Sequence, residues 1–206
     1  VFSQEEVNTI VVEANQEAEV AYNQGISFME AKQYQEAIAQ FEKALQYNSE
    51  FRQAYVNIGS ANLAIQNFDG AISAFEKALE IDSTQGQLWY LKGVALYNKN
   101  GYAKSFENLT KAMDLGYKTA ETYYYAGVDK FSLKEYESAI IQYTNAIKVD
   151  PSYAFAYNDL GSCFRMLGKF DDAIRNYDLA VLYDPQMASA YDNLGSAYAK
   201  KGDLQA

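Results

Sequence analysis

The chain is predicted to be all-α, an array of near-identical antiparallel helix pairs, on three observations. Glycines stand 34 residues apart at Gly25, Gly59, Gly93, Gly127, Gly161 and Gly195. Apolar residues recur at helical spacing inside each period, and no run of alternating β-branched residues competes. Both prolines, Pro151 and Pro185, fall at the ends of periods, and turn signals such as Asn100-Gly101 and Leu167-Gly168-Lys169 fall between the two helices of a unit. A fixed period of 20 to 50 residues marks a repeat architecture, in which each unit buries its apolar face only against its neighbours. A glycine in a helix interior costs about 1 kcal/mol relative to alanine. Its recurrence therefore implies a point where a neighbouring group comes too close for a side chain.

With the glycine taken as the eighth residue, units begin at Ala18, Arg52, Gly86, Ala120, Ala154 and Ala188. Residues 1–17 precede them. Ser3 and Glu6 form a capping-box pattern there, and Val7, Ile10, Val11 and Ala14 an apolar stripe, so an acidic helix is expected, fused to the first unit or capping it. Units 18–51 and 52–85 each hold two helices. In the second, Ala71, Ile72, Phe75, Ala78 and Leu79 make one apolar stripe. Unit 86–119 departs most from the pattern, with Ser105, Leu109 and Tyr117 where the others carry Ala, an aromatic and a closing residue such as Pro. Unit 120–153 carries Asp129 and Lys130 at core positions. Such charges are expected to be paired, to reach solvent, or to be less buried than the register suggests. Units 120–153 and 154–187 close at Asp150-Pro151 and Asp184-Pro185, since the residue before proline disfavours helix. Unit 188–206 stops after one helix, which leaves Tyr191, Leu194 and Tyr198 as an open apolar face. A longer parent protein or self-association at this end is the expectation.

Position 27 is Ala44, Ala78, Ala112, Ala146 and Ala180; position 24 is Phe41, Phe75, Leu109, Tyr143 and Tyr177. Small residues recur where backbones meet and large ones where a gap needs filling. Together with Leu160-Gly161, Phe164, Ala173 and Pro185, this pattern resembles the tetratricopeptide repeat family over residues 18–206. The resemblance implies a right-handed superhelical solenoid of antiparallel helix pairs. It also implies that the first helix of each pair lines a concave face through its second, fifth, ninth and twelfth residues.

Those positions supply the candidate binding residues: Tyr22, Ile26 and Met29; Val56 and Leu63; Tyr90, Val94 and Tyr97; Tyr124, Val128 and Phe131. Asn158 and Arg165 add polar anchors in the fifth unit. Tyrosine suits a contact surface because it offers a large area and one polar tip. The Lys and Asn with which co-chaperone members of the family clamp carboxylates are replaced here by Tyr22, Ile26 and Ser60, and a ladder of groove asparagines is missing too. The expected partner is a peptide or helix of another protein, apolar rather than strongly acidic. Partial burial of the stripe by neighbouring repeats is the competing reading.

Composition excludes other classes. The net charge of −10 opposes nucleic-acid binding, which needs a basic surface. Histidine is absent and Cys163 is the only cysteine, so the usual proton shuttle, a thiolate cluster and an intrachain disulfide are ruled out. Cys163 is expected to be a packed small residue. No phosphate loop, nucleophile elbow or zinc signature occurs, so no cofactor, metal or catalytic residue is assigned. No apolar run is long enough to span a membrane. The start is acidic, with no Lys or Arg before Lys32, unlike a signal peptide. Val1 in place of Met suggests a processed or truncated piece. A non-catalytic interaction scaffold is the leading reading; a regulatory or targeting arm of a larger enzyme and a self-assembling module are the alternatives. The cytoplasm is marginally preferred over the periplasm.

Overall fold

In the computed structural model, the backbone is described for residues 4–203 and side chains for residues 15–202. Contacts group the chain into two compact units, Val1–Lys99 and Asn100–Ala206. The first holds α1 (Gln4–Glu30), α2 (Tyr34–Tyr47), α3 (Arg52–Ala64), α4 (Phe68–Ile81) and α5 (Gly86–Asn98). The second holds α6 (Tyr102–Asp114), α7 (Ala120–Ser132), α8 (Tyr136–Val149), α9 (Ala154–Met166), α10 (Phe170–Tyr183) and α11 (Ala188–Asp203). Within each unit every helix packs on the next one in sequence. The third sequence repeat is divided, with its first helix in one unit and its second in the other. α1 runs unbroken from Gln4 to Glu30, so the N-terminal helix is continuous with the first helix of the first repeat. Ser3 and the side chains of Val7, Ile10, Val11 and Ala14 lie outside the described residues.

The recurring glycines have a steric cause. A Cβ on Gly59 would stand 2.4 Å from the Phe75 ring, and Gly25, Gly127 and Gly161 face Phe41, Tyr143 and Tyr177 in the same way. Position 24 thus drives a ring against position 8 of its own helix pair, and all four rings are buried. Around these rings, Ala37, Ala71, Ala139 and Ala173 are fully buried, as are Ala44, Ala78, Ala146 and Ala180. Close backbone approach leaves no room there for more than a methyl. Gly195 differs: nothing lies within 4 Å of the place its Cβ would occupy.

The turns repeat as well. Between the two helices of a pair the chain passes through a left-handed residue at Lys32, Gln66, Asn100, Lys134 and Gly168, with φ between 58° and 73°. Gly168 and Asn100 suit this conformation, whereas at Lys32, Gln66 and Lys134 packing imposes it on residues that do not prefer it. After the second helix, Asn48, Asp82, Asp150 and Asp184 each accept a hydrogen bond from the backbone N–H two residues on. These Asx turns stop the helix and aim the chain into the next repeat. The equivalent place in the third repeat is Gly116, at φ 89°, which makes the reversal by another route. The aromatic at position 4 ties the turn down: Trp89 Nε1 donates to Ser83 O, Tyr157 Oη to Pro151 O and Tyr191 Oη to Pro185 O.

Candidate functional site

The predicted stripe falls on the first helices: α1, α3 and α5 in the first unit, α7 and α9 in the second. Tyr22, Ile26, Met29, Val56, Leu63, Tyr90, Val94 and Tyr97 are all half-buried. So are Tyr124, Val128, Phe131 and Arg165, whereas Asn158 is buried. Eight of them have one flank in the core. Tyr22, Ile26 and Met29 pack against the cluster of Phe41 and Ile58. Val56 and Leu63 pack against that of Phe75 and Leu88, and Tyr124, Val128 and Phe131 against that of Tyr143 and Leu160.

Part of the stripe is engaged by the array itself, through a device that recurs at a spacing of 35. Asn57 Nδ2 donates to Tyr22 Oη at 2.9 Å, Tyr124 Oη donates to Asp159 Oδ2 at 2.9 Å, and Asn193 Nδ2 donates to Asn158 Oδ1 at 3.0 Å. In each case position 5 of one first helix bonds position 6 of the next. Val56 and Leu91 are the apolar version, both against the same cluster. These bonds tie neighbouring first helices together in one register. Burial pushes the Asp159 carboxyl up, while its bonds from Tyr124 and Asn158 hold it down.

In the first unit the stripe opens into a cleft of about 390 Å³. Tyr22, Val56, Leu88 and Leu91 supply its apolar wall; Gln53, Asn57, Ser60 and Gln87 supply hydrogen-bonding groups from the same helices. Arg52 and Gln85, from the helix starts, complete the lining. The cleft is more polar than the stripe alone indicates. Arg52 is held by Asp82 at 2.9 Å. In the second unit the corresponding feature is aromatic. Tyr124 lies 5.3 Å from Tyr153 and 6.3 Å from Phe155, ring centre to ring centre. Phe155 is 54% exposed and stands at the second position of its helix. Arg165 is turned toward the interior, with Nε donating to Tyr177 Oη at 3.3 Å.

Cys163 is fully buried, and burial pushes its thiol up to about 12, so it is a packed small residue without thiolate character. Lys130 meets the expectation for these two charges and Asp129 departs from it. Lys130 reaches Glu135 at 2.7 Å and lies 4.1 Å over the Phe106 ring. Asp129 is fully buried and neither carboxylate oxygen has a hydrogen-bond partner. The pair is therefore not matched with itself: helix geometry sends adjacent residues to different faces, and only Lys130 is long enough to escape. No described helix is long and apolar enough to cross a membrane.

Sequence models of the tetratricopeptide repeat match residues 22–86, 142–175 and 161–202, together more than half of the chain. The chain belongs to the tetratricopeptide repeat family. Members of this family bind other proteins or peptides and are generally non-catalytic. Among solved structures, a crystal structure of MamA aligns with TM-score 0.79 at 21% identity, covering 84% of this chain and 94% of that one. YrrB, a TPR protein with an unusual peptide-binding site, aligns with TM-score 0.77 at 23% identity, covering 89% and 95%. PilW, a widely conserved type IV pilus biogenesis factor, aligns with TM-score 0.72 at 20% identity, covering 93% of each. At these identities the likeness is one of fold, an all-α tetratricopeptide solenoid. No curated protein sequence matches the chain.

Proposed function

We propose that this tetratricopeptide protein is a non-catalytic scaffold whose first-helix face binds a peptide or helical segment of another protein. The observation that carries this is the cleft of about 390 Å³ over α1, α3 and α5, where an apolar wall faces a row of uncharged hydrogen-bonding side chains. Such a surface suits a segment that presents apolar side chains together with backbone amides, since glutamine, asparagine and serine can serve either donor or acceptor. The exposed Phe155 beside Tyr124 and Tyr153 offers a second anchor of the kind that dominates interfaces. The partner segment is apolar rather than strongly acidic: the chain has a net charge of −10, and Glu19 and Glu121 occupy the exposed second positions of the stripe. YrrB's peptide-binding site on the same fold supports the reading.

Peptides selected from a displayed library against the intact chain provide the test. Gln53→Ala with Phe155→Ala should weaken the selected peptides by roughly tenfold or more, since interface anchors carry about 1 kcal/mol or more each. Both side chains are exposed, so helicity by circular dichroism should not change. Full affinity in that variant would move the binding surface elsewhere.

A second reading has one observation in its favour. On α11, Tyr191 is 49% and Tyr198 53% exposed, and the place above Gly195 is open. Self-association through this face should appear as a concentration-dependent sedimentation coefficient that Tyr191→Ser with Tyr198→Ser abolishes. A constant monomeric value in the unaltered chain excludes it.

A further inference from the structure

The two departures from the repeat pattern in the second unit are partners of each other. Position 20 of one repeat packs beside position 10 of the next. Ala71 and Ala95 share one core cluster, Ala139 and Cys163 another, and Ala173 and Ala197 a third. At the α6–α7 junction the same two places hold Ser105 and Asp129. Both side chains are fully buried. Ser105 faces the carboxylate closely enough to favour its charge, yet neither Ser105 Oγ nor either Asp129 oxygen has a hydrogen bond of normal geometry. Two polar groups have thus been placed together, and only together, in a contact that is otherwise alanine, cysteine and methyl.

The surroundings decide which protonation state fits. From α6 the facing polar group is Ser105. On α7 itself it is Lys130, whose ammonium is engaged with Glu135 at the α7–α8 turn. Among the described residues, no charge on α8 or α9 adds to these. A carboxylate here would be a buried charge without a hydrogen bond of normal geometry. A neutral carboxylic acid carries no charge to solvate and has one O–H to donate, for which the adjacent Ser105 Oγ is an acceptor within a small side-chain adjustment.

We propose that Asp129 is a buried proton switch: as a neutral acid hydrogen-bonded to Ser105 it holds the α6–α7 junction closed, and on losing its proton it loosens that junction. Burial raises the carboxyl from 3.8 to about 7, against the smaller opposing effects of Ser105 and Lys130, which places the transition near neutrality. The junction is then tight in mildly acidic solution and looser in mildly alkaline solution. The proposal does not depend on where a partner binds.

The test reads the carboxyl directly and the junction separately. In the intact chain, the Asp129 side-chain carboxyl carbon should titrate near 7 by NMR, well above the ordinary aspartate value of 3.8. Amide exchange in α6 and α7, corrected for intrinsic base catalysis, should accelerate by roughly tenfold or more between about pH 5.5 and about pH 8.5, because each unit of pKa shift is a factor of ten. Asp129→Asn keeps a donor for Ser105 and cannot ionise, so it should hold the slow exchange at both pH values. Asp129→Ala restores the residue used at this position elsewhere and serves if the asparagine variant does not fold. A titration midpoint near 4, or the same pH dependence of exchange in the asparagine or alanine variant as in the unaltered chain, would overturn the proposal.

Discussion

Gly59→Ala is expected to destabilise the chain by about 2 kcal/mol, although alanine is the better helix former. The new methyl would stand 2.4 Å from the ring of Phe75, which has no exposed surface and no room to retreat. Overpacking a well-filled core costs about 1–3 kcal/mol, and a contact this short belongs at the upper end. The helix-propensity gain of about 1 kcal/mol offsets only part of that. Gly195→Ala is the control. Nothing lies within 4 Å of its added methyl, so only the propensity gain remains and stability should rise by up to about 1 kcal/mol. Phe75→Leu in the Gly59→Ala background should recover part of the loss, because a smaller side chain frees the space the methyl needs. Urea denaturation followed by helix signal measures all three. If Gly59→Ala and Gly195→Ala moved the midpoint in the same direction, the ring against the glycine would not be the reason for the period.

What the amino-acid sequence makes legible here follows from repetition. A contact between two positions of the repeat leaves its trace five or six times, so the small–large alternation of positions 8, 20, 24 and 27 could be read without coordinates. Helix limits were equally accessible, because Asp-Pro at 150 and 184 acts locally. Three things were not. The bonds from position 5 to position 6 of the next repeat use different chemistry each time, tyrosine with asparagine or aspartate and asparagine with asparagine. No single residue type therefore recurs to announce them. The left-handed turn at Lys32, Gln66 and Lys134 gives no signal, since glycine is absent where the conformation would ask for it. The cleft in the first unit takes Arg52 and Gln85 from helix starts, off the stripe that periodicity selects. Ser105 and Asp129 were each visible as departures. What joined them was the packing of position 20 on position 10, which three apolar clusters reveal and a single period does not.

That same pairing leads to the second large effect. Asp129→Ala should stabilise the chain at about pH 8 by a few kcal/mol and have little effect at about pH 4. The sign follows from linkage. The folded carboxyl is raised to about 7, above its unfolded value near 3.8, so between these values the folded chain holds a proton the unfolded chain has released. Its contribution is complete below about 4, declines as pH rises toward 7, and above 7 the buried charge weighs fully against folding. A shift of this size corresponds to about 4 kcal/mol at the alkaline end, an upper value because the helices relax around the charge. Alanine removes the charge at a position where Ala61, Ala95 and Ala197 already pack without exposure, so the effects against it are the void left by the carboxyl and the buried Ser105 hydroxyl left without that neighbour. Asp82 and Asp150 act in the opposite sense and in another range: bonds from Thr84 and Ser152 hold their carboxyls below the usual value, so they support folding above about pH 4 and lose that support in acid. These three carboxyls favour mildly acidic solution for the unaltered chain and shift that preference toward neutrality in Asp129→Ala, and denaturation midpoints measured across this range separate the two. A constant difference between them at every pH would mean that Asp129 is already charged in the folded chain at its ordinary value.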